Sequence, residues 1–326
     1  MKYAQEKLVA VAAVTAASTL CEQVRKELDF TTMAKADQSP VTVADFGSQA
    51  VICQALSTVF PQEEIIAEED AKMLQQPAMV DCLGEVTRYV QKMIPDAIAP
   101  QVIDWINLGN GKLAQRYWTL DPIDGTKGFI RGDQYAIALA LIEQGEVKIG
   151  VLGCPALPVD PAQPEGDKGV LFIAIKNQGT EMIPLQGGNS QTLRVNRWDD
   201  PMKLRVIESV ESSHSDRTKQ TQLAQKLQFS QPALRMDSQA KYGAVARGDA
   251  DLYMRIPRAE YESRRENIWD HAAGAIVVTE AGGKVTDLQG LPLDFSVGAK
   301  LSNNYGILVS NRMIHQQVLS AWQEIS

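Results

Sequence analysis

The chain has 326 residues and a formal net charge of −8, enough length to bury more than one core and too acidic for general nucleic-acid binding. No long Lys/Arg run or basic helix face offsets that charge, so an anionic ligand must be met locally. Four cysteines without Cys-x-x-Cys spacing exclude a disulfide scaffold and point to a reducing compartment, the cytosol.

In chain order, residues 5–28 predict a first helix. Its uncharged stretch, residues 8–21, lacks Pro and Gly, follows Glu6, and reads as a buried helix rather than a signal sequence; no run reaches the ~18 apolar residues of a membrane span. A second helix is predicted over residues 44–59, with Phe46, Ala50, Cys53, Leu56 and Phe60 on one stripe and Pro61 ending it. Asp45 falls in its first turn, where the macrodipole favours an acid. Ile65-Ile66-Ala67-Glu68-Glu69-Asp70 is an apolar strand ending in acids, with Glu69 and Asp70 at least as well read as solvated surface. Helical patterning follows over residues 84–93.

Residues 117–120 form a short strand that Pro122 is expected to stop. The turn Asp121-Pro122-Ile123-Asp124-Gly125-Thr126 can aim two carboxylates and the Ile123 carbonyl at one point, as hard divalent cations require, while Gly125 and Thr126 turn N–H groups toward an anion. Alone, Asp-Pro and Asp-Gly pairs are ordinary turn chemistry. Residues 135–142 and 147–152 flank Gln144-Gly145-Glu146 and predict a hairpin, with further strands at 170–175 and 180–185. Residues 155–166 and 186–190 read as loops.

From about residue 200 strands alternate with helices: strands at 204–207, 252–255, 284–286 and 305–309, helices at 216–227, 240–247, 270–280 and 313–322. Two domains are expected, 1–200 and 201–326. Asp270 opens the small-residue helix in Asn267-Ile268-Trp269-Asp270-His271-Ala272-Ala273-Gly274. His271 and His315 have no partners at metal-ligand spacing and read as structural, Trp269 as core. Ser213, His214 and Asp216 do not make a nucleophilic triad, because adjacent positions cannot converge and no Gly-x-Ser-x-Gly elbow is present. Gly109-Asn110-Gly111 is too weak for a dinucleotide fingerprint.

The acidic strand end at Glu68, the Asp121 to Thr126 run and the Trp269 to Gly274 run, in that order, resemble the lithium-sensitive, Mg²⁺-dependent phosphomonoesterases of the inositol monophosphatase superfamily. Ser39 to Asp45, Thr126 to Phe129, Ser212 to Ser215 and Asp237 to Tyr242 resemble most its 3'(2'),5'-bisphosphate nucleotidase branch. The resemblance implies an α/β layered sandwich, with a larger antiparallel sheet followed by a smaller mixed one. It implies two or three Mg²⁺ ions held by Glu68, Asp121, the Ile123 carbonyl, Asp124 and Asp270. Asp45 and Thr126 are the implied catalytic pair. Gly125, Thr126, His214, Ser238, Lys241, Arg255 and Asp270 are the implied substrate-binding residues.

The expected reaction is removal of the 3'-phosphate of adenosine 3',5'-bisphosphate, giving AMP, with its sulfated analogue as a further substrate and a role in sulfate assimilation. An inositol phosphate phosphatase is the alternative enzyme. A metal-dependent nucleotide-binding regulator is the alternative without catalysis. Expected partners are a small-molecule nucleotide, no nucleic acid and no membrane, for a monomer or weak homodimer.

Overall fold

The computed structural model describes residues 2–27, 33–34, 40–211, 215–258 and 265–326. The first half comprises α1 (Ala4–Glu27), β1 (Met33–Ala34), β2 (Pro40–Val41), α2 (Val43–Val59), β3 (Glu64–Ala67), a 3-10 turn at Pro77–Met79, α3 (Val80–Met93) and α4 (Ala99–Asn107). It continues through β4 (Arg116–Asp124), α5 (Thr126–Arg131), β5 (Ala136–Glu143), β6 (Glu146–Pro158), β7 (Lys168–Ile175), β8 (Gly179–Pro184) and β9 (Gln191–Thr192). The second half holds β10 (Val206–Glu208), α6 (Arg217–Lys226), β11 (Leu234–Arg235), α7 (Ala240–Arg247) and β12 (Leu252–Arg255). It ends with α8 (Ala272–Glu280), β13 (Lys284–Thr286), β14 (Ile307–Ser310) and α9 (His315–Gln323).

β3 to β9 form a seven-stranded sheet in sequence order, antiparallel except for the β3–β4 pair. A five-stranded mixed sheet has the order β11-β10-β12-β14-β13. Strand alternation sorts the side chains into layers. Ile137, Leu139 and Leu141 of β5 face one core with α1, α2, α3 and α4, while Ala136, Ala138, Ala140 and Ile142 face a second core with α7 and α8. Ile207, Tyr253, Ile307 and Val309 of the smaller sheet close that second core, and its opposite face packs against α6 and α9. Five layers result, α-β-α-β-α, the layered sandwich expected from the sequence. Each fully buried Leu, Ile or Phe in these cores contributes about 1.5–3 kcal/mol.

α8 sits flush on the larger sheet because Gly150 of β6 has no side chain: a Cβ there would lie 2.7 Å from the Ala273 carbonyl oxygen. Gly150→Ala would push α8, and the loop before it, away from the sheet. The predicted hairpin is tight, with Gln144 (φ 55°) and Gly145 (φ 75°) both left-handed, as a two-residue turn between twisted strands demands.

Four expectations are corrected. β4 does not stop at Pro122 but stays paired with β5 to Asp124, its register shifting by one residue between Asp121 and Asp124. A proline is tolerated there because a bulge residue makes no ladder hydrogen bond. β6 runs to Pro158, so the loop expected from residue 155 begins later. α8 begins at Ala272, leaving Asp270 in the turn before it. α1 is, by length and composition, long and apolar enough to cross a bilayer; here Ala10, Ala13, Val14, Ala17, Leu20, Cys21 and Val24 are buried in the first core. Gly109 and Gly111 bond to the β3 edge at Ala67 and Ile65, both at 2.8 Å, an edge-covering role.

Candidate active site

The site forms where the C-terminal ends of β3 and β4 meet the starts of α5, α7 and α8. β3 pairs with β4 in register Ala67 to Leu120, and the Glu68 N–H donates to the Leu120 carbonyl at 3.2 Å, which sets Glu68 beside Asp121. In a regular strand residues three apart face opposite sides. The one-residue bulge removes that difference: Asp121 pairs with Ala138 and Asp124 with Ala136, two alanines on one face of β5, while Ile123 turns into the opposite core. Both carboxylates therefore reach the α7 and α8 side.

Gly125 follows with φ +87°, and a Cβ on it would sit 3.1 Å from Cβ of Ser238. That left-handed turn starts α5 at Thr126. The Thr126 hydroxyl lies 3.3 Å from Asp45 Oδ1 and 3.2 Å from the Ile123 carbonyl. Asp45 is fully buried in the first turn of α2, and its Oδ2 accepts from the N–H and hydroxyl of Thr42, both at 2.7 Å. Helix capping and contact with Thr126 are thus divided between its two oxygens.

From the other side, the Gln239 N–H donates to Asp124 Oδ2 at 2.6 Å. The Gln239 side chain donates to the Trp269 carbonyl at 2.8 Å and accepts from Gly274 N–H at 3.0 Å, bracing the Asp270 turn. Ser238 has φ 66°, and its hydroxyl accepts from Ala240 N–H at 3.2 Å. Lys241 is buried, 3.3 Å from the Met236 carbonyl and over the Tyr253 ring. Arg255 ends β12 with its Nε 2.9 Å from Glu266.

Burial first, then the charges of Glu68, Asp124 and Asp270, hold the Asp121 carboxyl well above the usual range. Burial raises Asp124 as well, against the opposing pull of Lys241 and the Gln239 N–H. Asp270 is raised to about 6, again chiefly by burial and in spite of Arg255. Burial lowers Lys241 to about 8, with Asp124 opposing. Asp121, Asp124 and Asp270, all raised and crowded beside Glu68, are oxygen donors that fit hard divalent cations: bound charge would remove their repulsion.

The structure thus brings together Asp45, Glu68, Asp121, Ile123, Asp124, Gly125, Thr126, Ser238, Lys241, Arg255 and Asp270 around one rim. His214, with Ser212, Ser213 and Ser39, lies outside the described residues. Asp216 caps α6 through Lys219 N–H. Glu69 is 4 % exposed and not solvated surface, its backbone held on both sides by Gln49. His271, without partners by spacing, has ligand atoms within 4.8 Å of those of Glu266 and Asp270. His315 is structural, held by Thr286 and Ser310. Sequence reasoning missed Gln239, whose signal was its place inside the Asp237 to Tyr242 motif. A cavity of about 650 Å³ opens beside α5, lined by Arg25, Lys168, Arg235 and Asp237 and by none of the clustered carboxylates.

A model of the inositol monophosphatase family matches residues 4–326. The chain belongs to the inositol monophosphatase family, metal-dependent phosphatases of this layered fold. It is 43 % identical to a 3'(2'),5'-bisphosphate nucleotidase of Oryza sativa, covering 99 % of this chain and 94 % of that one. A 3'(2'),5'-bisphosphate nucleotidase of Emericella nidulans is 40 % identical over 100 % and 99 % of the two chains. An IMPase from Thermotoga maritima shares the fold with a TM-score of 0.66 at 22 % identity, covering 97 % of this chain and 95 % of its own.

Proposed function

We propose that this protein is a Mg²⁺-dependent 3'(2'),5'-bisphosphate nucleotidase that hydrolyses adenosine 3',5'-bisphosphate to AMP and phosphate. The observation that carries this reading is the meeting, at one rim, of a carboxylate cluster with two cations, the buried Lys241 and the half-buried Arg255. Such a site suits a ligand with two anionic groups, one for each half.

Glu68, Asp121, the Ile123 carbonyl, Asp124 and Asp270 would hold the ions, two or three, whose chemistry is to neutralise phosphoryl oxygens and acidify water. Thr126 donates its hydroxyl proton toward Asp45 Oδ1, leaving an oxygen lone pair to orient water for attack on phosphorus. The water proton passes through Thr126 to Asp45 as the P–O bond to the nucleoside breaks; the leaving oxygen takes its proton from solvent water, and Asp45 returns its own to solvent before the next turnover. Thr42 keeps Asp45 turned to this task. Gly125 lets backbone N–H groups approach the phosphate. Ser238, Lys241 and Arg255 receive the second phosphate; His214 contacts the sugar, base or phosphate, and Asp270 contacts the substrate from the carboxylate side.

The sulfated nucleotide fits the same receiver, which supports a place in sulfate assimilation. All four cysteines are free thiols, as a reducing cytosol would keep them, and the reading takes the protein as a monomer or weak homodimer. The testing experiment is a phosphate-release panel with Mg²⁺: adenosine 3',5'-bisphosphate, inositol 1-phosphate and inositol 1,4-bisphosphate. Preference for the nucleotide supports the reading. Preference for an inositol phosphate overturns the substrate, and no turnover of any of them overturns the enzyme.

A further inference from the structure

Arg255 is not held by the carboxylate cluster alone. Glu266 Oε2, 2.9 Å from its Nε, also lies 3.5 Å from Nε2 of His271, and Nδ1 of His271 lies 2.7 Å from the Tyr242 hydroxyl. Both Tyr242 and His271 are 1 % exposed, so no water competes for the contact between them, while Glu266 and Arg255 are half-buried.

The direction of the protons follows from the partners. A carboxylate only accepts, so the Nε2 that faces Glu266 is the ring nitrogen that carries a proton toward it. Nδ1 meets the Tyr242 hydroxyl, which can donate or accept, and every member of the chain therefore has a partner. Glu266 then accepts from His271 on one side and faces Arg255 on the other as an ion pair, without the alignment of a hydrogen bond.

This matters because Arg255 also senses Asp124 and Asp270. A guanidinium free to turn would fold onto those acids and compete for them. We propose that the Tyr242–His271–Glu266 chain is the positioning device for Arg255, aiming it at the second phosphate of a nucleoside bisphosphate and away from Asp124 and Asp270; this rests on the nucleotidase reading above. Glu266, His271 and Tyr242 touch no substrate and act through Arg255.

The test is steady-state kinetics of wild type, Glu266→Gln, Glu266→Asp and Tyr242→Phe with adenosine 3',5'-bisphosphate and with adenosine 3'-monophosphate, which lacks the second phosphate. Glu266→Gln is expected to raise KM for the bisphosphate about tenfold, while KM for the monophosphate moves less than about threefold. Tyr242→Phe shifts the bisphosphate KM in the same direction by a smaller factor, and Glu266→Asp restores most of the loss. Should Glu266→Gln fail to fold, Tyr242→Phe, which keeps the packed ring, carries the comparison. Equal changes for both substrates, or none, overturn the proposal. Wild-type protein that ignores the bisphosphate overturns the nucleotidase reading itself, a separate result.

Discussion

The backbone N–H of Gln239 donates to Asp124 at 2.6 Å, so the start of α7 holds a carboxylate of β4 across the two sheets. The same residue's side chain ties down Trp269 and Gly274, and with them the turn carrying Asp270. Gln239→Ala leaves that buried carbonyl and N–H without partners, at about 1–3 kcal/mol each. Urea unfolding should show a loss of about 2 kcal/mol or more, and the Mg²⁺ concentration for half-maximal activity should rise. An unchanged Mg²⁺ requirement would show that Asp270 is placed without this brace.

Asp121 is the most crowded acid of the cluster, and removing its charge separates stability from function. Asp121→Asn should abolish Mg²⁺-dependent turnover while raising the melting temperature of the metal-free protein, since three like charges lose a neighbour. The melting-temperature increase that Mg²⁺ gives the wild type should disappear. Thermal melts with and without Mg²⁺ read both effects; a destabilised metal-free variant would contradict the repulsion argument.

Thr126 donates toward Asp45 at 3.3 Å, the contact through which the proposed reading relays a proton. Thr126→Ala should lower kcat by about 10²–10⁴ with a small change in KM, and Thr126→Ser should recover much of it. Asp45→Asn should lose kcat similarly and in addition about 1 kcal/mol of stability from its capping box with Thr42. A raised KM at unchanged kcat in either variant would place these residues on substrate instead.

His315 links α9 to β13 and β14 through hydroxyls on both ring nitrogens, and burial lowers its pKa from 6.5 to about 4. Between those values the unfolded chain binds more protons than the folded one, so stability falls as pH drops through 6.5 and the loss is complete below about 4. The wild-type curve of unfolding free energy against pH should be steeper in that window than that of His315→Gln. Identical slopes would remove His315 from the acid response.

That Asp121, Asp124 and Thr126 would converge was legible from their short spacing, and the structure sets Glu68 and Asp270 beside them. Helix and strand periods likewise marked α2, α7 and β12 closely. What the chain order hid was set by tertiary pairing. The β4 bulge depends on β5, so Pro122 read as a stop when it sits inside a strand. Glu69 read as surface because Gln49, which buries it, is 20 residues away. His271 read as unpartnered because Tyr242 comes from another helix. Asp45 left helix start and function open, and the structure gives one of its oxygens to the Thr42 cap and turns the other to Thr126.

The central claim is that one site holds ions at one phosphate and the cations Lys241 and Arg255 at another. It is tested most directly by Lys241→Met, assayed for phosphate release from adenosine 3',5'-bisphosphate and from inositol 1-phosphate. A hydrogen bond to a charged group contributes about 1.5–3 kcal/mol, so kcat/KM for the bisphosphate should fall about tenfold to a hundredfold. The residual activity on inositol 1-phosphate, which presents no second anion, should stay within about threefold of wild type. Equal loss on both substrates in a folded variant would contradict the account, because Lys241 would then serve the carboxylate cluster and not the nucleotide.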